Sequence, residues 1–480
     1  MFGRKLLSGI LAAVLTVASV LSLSGCSNRM QTEMPETGTL NVSYLSRHKN
    51  IDGVMLNLAK QEFEESHIGW TVEIDEITKG ESDYEDRVQK LLNNMMVGKG
   101  PDVLFVNLNF CNEADVNKIC RSGKLVDLTP YFAADESWSW DGYNTAVIDS
   151  LKMDGKQVLM PLSYNMPFFI TDETVLQESG IDLDACKTGK GLIEQFIAYN
   201  ERAREDQSMP MLFDDYGYTL YSQLFDIMQM NPLDYDAGKV NWDENTREML
   251  ELYKQLYPVD TGKEVINPSY ISNDKGNYAC ILDGDYLMPL RLDYWNEQII
   301  QLFSLENAGK AAILPIYNYD GSGIAVEMNT AAGVLGSSQK KGAAVEFVKT
   351  LLGETAQSQS TTHKIALGDD TMSYGISGSM PVLEKGINDM WDTAVQSCKS
   401  WWQLNEGSAY IEEGLSFDHA PDDVLQQILD LSHQITSCYI RNRSDNGNLS
   451  EYFKEYFEDK VSYEKAFDKA DNTLNIYASE

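Results

Sequence analysis

The apolar positions between residues 38 and 106 change period several times. Leu40, Val42 and Tyr44 alternate with polar residues, the period of a half-buried strand. Val54, Leu58, Ala59 and Phe63 then fall on one side of a helix. Val72, Ile74 and Ile77 predict a second strand. Tyr84, Val88, Leu91, Leu92, Met95 and Met96 recur at helical spacing and make one amphipathic face. Gly98 and Gly100 stop that helix and Pro101 blocks its return. Val103-Leu104-Phe105-Val106 is a continuous apolar run, the pattern of a strand buried on both faces. Strand, helix, strand, helix, strand predicts an α/β domain with a parallel sheet.

The pattern continues downstream. Lys156 to Leu162 reads as a short strand leading into a second α/β region. Trp242 to Tyr257 is helical, with Met249, Leu250, Leu252, Tyr253 and Leu256 apolar. Ala311 to Ile316 is a strand, and Ala344, Phe347, Val348, Leu351 and Leu352 mark another helix. From Asp422 onward the chain reads as mostly helical.

The N-terminus differs from the rest. Arg4 and Lys5 precede an apolar run from Leu6 to Leu23, the order of a secretory leader. The run is also near the length that spans a bilayer. Its Ser8, Gly9, Thr16, Ser19, Ser22 and Ser24, with no aromatic belt behind, favour the leader over a retained anchor. Leu23-Ser24-Gly25-Cys26 resembles a bacterial lipobox, which implies acylation of Cys26 and residence on the outer face of the cytoplasmic membrane. Residues 1–25 are then the signal peptide and 26–37 a polar tether.

The 480 residues exceed what one core organises, so two to three domains are expected. A formal net charge of −35 repels nucleic acid and anionic headgroups, and argues against both as partners. Disorder is excluded by the 43% hydrophobic content. Six cysteines follow Cys26, scattered and without a C-x-x-C, so buried free thiols are expected; Cys111 and Cys120 are near enough for a local bridge. The five histidines are widely spaced and suggest neither triad nor metal site. No G-x-S-x-G, H-E-x-x-H or P-loop occurs, and no cofactor is implied.

Several passages together resemble one family. Gly98-Lys99-Gly100-Pro101-Asp102-Val103 resembles the G-x-G-P-D-[VI] passage of extracellular solute-binding proteins of the maltose-binding type, family 1. Asp154 to Leu162 is similar to that family's crossing into its second lobe. Asp172 to Asp182, Ala279 to Gly284, Leu314-Pro315 with Gly321-Ser322-Gly323, Ser337 to Gln357, and Val461 to Phe467 follow in the family's order. The segment before Asp172 departs from it, reading Phe169-Ile170-Thr171 where the family has tyrosine-asparagine. The segments 185–240 and 360–420 are longer than usual for the family.

The resemblance implies a two-lobed periplasmic-binding-protein-like fold of type II. Its lobes are joined by a hinge of crossing strands, with the ligand cleft between them. Lobe one would comprise 38–163 plus 314–372, and lobe two 164–313 plus 373–480. It also implies a monomer that captures a solute by lobe closure and delivers it to the transmembrane subunits of an ABC permease. The membrane would be touched through the N-terminal lipid only.

The 8 Trp and 25 Tyr, with few basic residues, favour a carbohydrate, most simply an oligosaccharide, over an amino acid or anion. Strand ends and the family's usual positions nominate Ser46, Asn50, Asn107, Asn109, Phe110, Ser163, Tyr164 and Asn165 on the first half. Asp283, Tyr286, Tyr294, Trp295, Trp401 and Trp402 follow on the second. Each aromatic has a competing role in core packing, and Asp283-Gly284 also reads as a turn. No catalytic residue is nominated. A glycoside hydrolase, an adhesin or sensor without transport, and a binder of peptides or polyamines remain open alternatives at this level.

Overall fold

The computed structural model describes residues 34–46, 53–79, 81–108, 119–166, 168–172, 179–205, 224–234, 238–256, 271–272, 278–279, 311–361, 376–377, 422–440 and 449–479. Its first half is built as the periodicity predicts. Strand β1 (Gly38–Ser46), helix α1 (Gly53–Ser66), strand β2 (Trp70–Thr78), helix α2 (Tyr84–Met96) and strand β3 (Val103–Asn107) follow in order. β1 pairs in parallel with β2 and with β3. All five residues of β3 are buried, as a continuous apolar run requires.

Two helix faces are turned slightly from the expected ones. On α1 the buried residues are Met55, Leu56, Ala59 and Phe63, while Leu58 is half-buried at the border of that stripe. On α2, Leu91 and Met95 are buried and Met96 is 57% exposed. Leu91 and Met95, spaced i and i+4, share the inner side of α2, and Met96 is turned one step further round toward solvent. Gly98 continues the chain at φ 75°, a left-handed value that glycine adopts without strain.

Strand β4 (Met160–Asn165) follows a small hairpin of 152–153 and 156–157. Strand β5 (Phe168–Asp172), helix α3 (Gly189–Glu205), helix α4 (Glu244–Leu256) and strand β6 (Ala311–Pro315) come next, and β5 pairs antiparallel with β6. The Asp243 carboxylate caps α4, accepting from the Thr246 N–H and hydroxyl, both at 2.7 Å. Strand β7 (Ile324–Val334) is eleven residues long, every one buried. Helix α5 (Lys341–Leu352), helix α6 (Glu354–Thr361), the short strand β8 (Ile376–Ser377) and helix α7 (Asp422–Ser432) follow. Strand β9 (Ile435–Tyr439) interrupts the expected C-terminal helical run before helices α8 (Leu449–Phe457) and α9 (Tyr463–Ser479).

One seven-stranded mixed sheet has the order β8-β4-β7-β3-β1-β2, with β9 also paired to β7. β7 runs antiparallel to both β3 and β4, so the expected parallel sheet is extended by antiparallel crossing strands. A core lies on each face of this sheet. One gathers Leu45, Leu104, Val106, Tyr164 and Met328 against α2. The other gathers Val42, Phe105, Leu162 and Val334 against α1 and α5. A third core is separate and mainly helical: α3, α4, α8 and α9 enclose Phe196, Met249, Tyr253, Phe453 and Leu474, with Leu314 and Ile316 from the end of β6. Each large apolar side chain buried this way contributes roughly 1.5–3 kcal/mol.

The glycine–proline–aspartate passage is a structural knot at the far end of the sheet. Asp102 accepts from the Asn41 N–H at 2.9 Å, the Ser338 hydroxyl at 2.6 Å and the Lys340 ammonium at 3.1 Å. It thereby joins β1, β3 and the approach to α5. The segment before β1 is also held, since the Trp70 indole N–H donates to the Pro35 carbonyl at 3.0 Å.

Candidate ligand-binding site

The parallel strands end at one edge of the sheet, and there the apolar runs give way to polar residues. β1 ends in Ser46, β2 in Thr78 and β3 in Asn107. Ser46 pairs in register with Thr78, and Leu45 pairs with Val106 one step before Asn107. Antiparallel β7 brings Thr330 opposite Asn107, and Thr330 faces Ser163 of β4 on its other side. Thr78, Ser46, Asn107, Thr330 and Ser163 thus form one polar row across five strands. In open α/β sheets the ligand crevice lies beyond this edge.

The row is built rather than incidental. Asn107 and Ser163 are fully buried, and Ser46 and Thr330 nearly so. The Ser163 and Thr330 hydroxyls are 2.6 Å apart. The Ser46 hydroxyl lies 3.0 Å from the Glu76 carboxylate and 3.2 Å from the Thr78 hydroxyl. The Leu108 N–H donates to the Asn329 carbonyl at 2.7 Å, where the register of β7 against β4 shifts by a bulge. Glu327 and Asn329 add two more buried polar side chains on the same strand. Hydroxyls, amides and carboxylates make up this edge, a set that suits a neutral, hydroxyl-rich ligand.

Of the residues nominated from sequence, the structure brings Ser46, Asn107 and Ser163 together in this row. Asn165 ends β4 at the same edge, opposite Glu327 in register; its side chain is outside the described residues. Tyr164 points the other way. Its ring is fully buried in the core with Met328, its hydroxyl has no partner among the described residues, and burial pushes its pKa up. Asn50, Asn109, Phe110, Asp283, Tyr286, Tyr294, Trp295, Trp401, Trp402 and Cys26 lie outside the described residues. Thr78, Glu327, Asn329 and Thr330 were not nominated. Three of them interrupt the apolar run Ile324 to Val334, which is the signal that would have found them.

A cavity of about 580 Å³ lies beside the crossing strands. One wall carries Cys120, Leu151 and Met328 from the first core, the other Met230 and Leu233 from the helical core. Its size falls in the range of small-molecule sites, and it separates the two bodies on that side. Cys120 and Cys438 line it as free thiols, each pushed up to about 12 by burial. They are therefore neutral and poor nucleophiles. Among the described residues no cluster of histidine, cysteine, aspartate and glutamate is arranged to hold a metal ion, and no helix is long and apolar enough to cross a membrane.

Residues 59–378 match the sequence profile of a family described as bacterial extracellular solute-binding protein. A search of curated proteins finds no significant match. Solved structures share the fold at low identity. A family 1 extracellular solute-binding protein from Alicyclobacillus acidocaldarius is 13% identical with a TM-score of 0.55, over 93% of this chain and 100% of that one. The cyclic alpha-maltosyl-1,6-maltose binding protein from Arthrobacter globiformis is 15% identical with a TM-score of 0.52, over 92% and 100%. A periplasmic oligogalacturonide binding protein from Yersinia enterocolitica is 12% identical with a TM-score of 0.53, over 92% and 99%.

Proposed function

We infer that this chain, which belongs to the family of bacterial extracellular solute-binding proteins, captures a carbohydrate between two lobes and delivers it to an ABC permease. The observation that carries the reading is the polar row Thr78, Ser46, Asn107, Thr330 and Ser163 at the carboxyl edge of the parallel strands. It offers neutral hydrogen-bond partners where a solute-binding sheet presents its crevice. An anionic solute would instead call for a fixed arginine or a helix N-terminus. Among solved structures that share the fold, the one named for binding cyclic alpha-maltosyl-1,6-maltose supports the class.

In this reading Ser46, Asn107 and Ser163 serve the ligand from lobe one and Asn165 from the hinge crossing, joined by Asn50, Asn109 and Phe110 from the segments after β1 and β3. Tyr164 braces the strand from behind. Asp283, Tyr286, Tyr294, Trp295, Trp401 and Trp402 supply the facing side, with aromatic rings stacking on sugar C–H faces. The separate helical core and the gap beside the crossing strands support two bodies that move about a hinge. Ligand contacts made only when the lobes meet drive closure. The protein binds without catalysis, works as a monomer, and is held on the outer face of the membrane by acyl groups on Cys26.

Titration calorimetry of the protein lacking residues 1–25 against oligosaccharides, amino acids, short peptides and spermidine tests the reading. Saturable heat with one oligosaccharide class is expected. Saturable heat only with peptides or spermidine would overturn the carbohydrate assignment. Anchoring has its own test: Cys26→Ala should release the protein from cells into the medium, and retention on the membrane would contradict acylation.

A further inference from the structure

The chain passes from the helical core to the first core within four residues. Tyr319 belongs to the helical core and Ile324 to the first. Between them runs Asp320-Gly321-Ser322-Gly323. Gly321 and Gly323 have φ of 78° and 147°, values that other residues adopt only under strain. A Cβ on Gly323 would collide with the side chain of Thr436.

Thr436 is itself out of register. The β7–β9 ladder steps from Ile324–Ile435 to Ala325–Ser437, which leaves Thr436 as the extra residue of a bulge. Turn and bulge therefore meet at one point, between a strand anchored in the first core and a segment anchored in the second.

Asn318 ties this point together. It is 5% exposed. Its N–H donates to the Gly323 carbonyl at 2.8 Å, closing the turn. Its own carbonyl accepts from Gly321 and from Gly189 at the start of α3, both at 2.9 Å. Its side-chain amide reaches the Ser322 hydroxyl at 3.0 Å and the Thr436 hydroxyl at 3.4 Å. Beside it, the Tyr317 hydroxyl donates to the Gln434 amide oxygen at 3.1 Å, and the Ile324 N–H to the Gln434 carbonyl at 3.0 Å. The Asn318 side-chain oxygen is buried without a partner among the described residues. A buried carbonyl without a donor disfavours its own conformation, so the other bonds of Asn318 must hold it there.

We propose that Asn318 is the positioning residue of the hinge: it links the Asp320–Gly323 turn, where the chain changes body, to the bulge of β9 at Thr436, so that turn and strand bend as one. The inference rests on the two-lobed closing reading above. A mere turn-stabilising residue would affect melting temperature but leave the distance between the bodies alone.

The test is a distance distribution in the ligand-free protein. Spin labels are carried on non-natural residues at Glu65 of α1 and Lys469 of α9, both exposed. Asn318→Ala should widen the distribution at least twofold relative to wild type. Thr436→Val removes the same tie from an exposed position, with little risk to folding, and should reproduce the widening. Wild-type distributions in both variants, with only a lowered melting temperature, would overturn the proposal. Widened distributions in a protein whose wild-type distance no oligosaccharide shifts would support the hinge and count against carbohydrate capture, so the two failures are distinct.

Discussion

Asp102 should be among the most sensitive positions of the first body, although it lies at the opposite end of the sheet from the ligand edge. It is 7% exposed. Asp102→Ala removes the acceptor for the Ser338 hydroxyl at 2.6 Å, the Asn41 N–H at 2.9 Å and the Lys340 ammonium at 3.1 Å. Hydrogen bonds to a charged group contribute roughly 1.5–3 kcal/mol each, and the buried Ser338 hydroxyl is left without this acceptor. Lys340, whose side chain is 31% exposed, rehydrates, so its ion pair adds little. The net cost is about 3 kcal/mol, less than the sum because the water that enters recovers part of each bond. The two bodies need not unfold together, so a single melting curve is a poor reporter. Amide hydrogen exchange reads the first body directly. Protection of the β1 and β3 amides should fall about 100-fold, while that of α4 in the helical core stays within about threefold. Asp102→Asn should lose nearly as much, because its NH₂ faces a row of donors. A fall below about threefold in β3 would refute the claim that this carboxylate joins the strands to α5.

Other consequences are equally direct. Gly100→Ala places a methyl against the side chains of Leu335 and Met95, and overpacking at this site should destabilise by about 1–3 kcal/mol, visible as a lowered urea midpoint of the first body. Cys120 and Cys186 are buried thiols pushed up to about 12, so brief treatment of native protein with iodoacetamide at pH 8 should leave both unmodified by mass spectrometry. The Lys349 ammonium, followed by Ser137, holds the Asp135 carboxyl well below the ordinary carboxylate range. A depressed pKa contributes stability above the unfolded value, and that contribution is lost as the pH falls through the folded one. The advantage of wild type over Lys349→Met should therefore shrink between about pH 5 and pH 2, measured by urea midpoints.

Local signals made the first half of the fold legible. The period of β1 and α2, and the unbroken apolar β3, each depend on residues near in sequence. β7 was harder, because strand alternation is hidden when both faces are covered and Glu327, Asn329 and Thr330 interrupt the run. β9 was read as helix because its five residues gain strand structure only by pairing with β7, a hundred residues away in sequence. The same limit applies to the site. Ser46, Asn107 and Ser163 are legible as members of the polar row because a polar residue after an apolar strand marks a sheet edge. Thr78 and Thr330 were missed because what qualifies them is their cross-strand neighbour. Tyr164 shows the converse: adjacent to Ser163 in sequence, it is carried by strand alternation into the core.

The most direct test of the account is the effect of a sugar panel on the protein lacking residues 1–25, read by calorimetry and by the Glu65–Lys469 distance together. One oligosaccharide class should bind saturably and shift that distance to a single closed value, and Asn107→Ala should weaken its binding at least tenfold. Saturable binding of peptides or spermidine alone, or sugar binding that Asn107→Ala leaves unchanged, would contradict the claim that the polar row at the strand ends captures a carbohydrate.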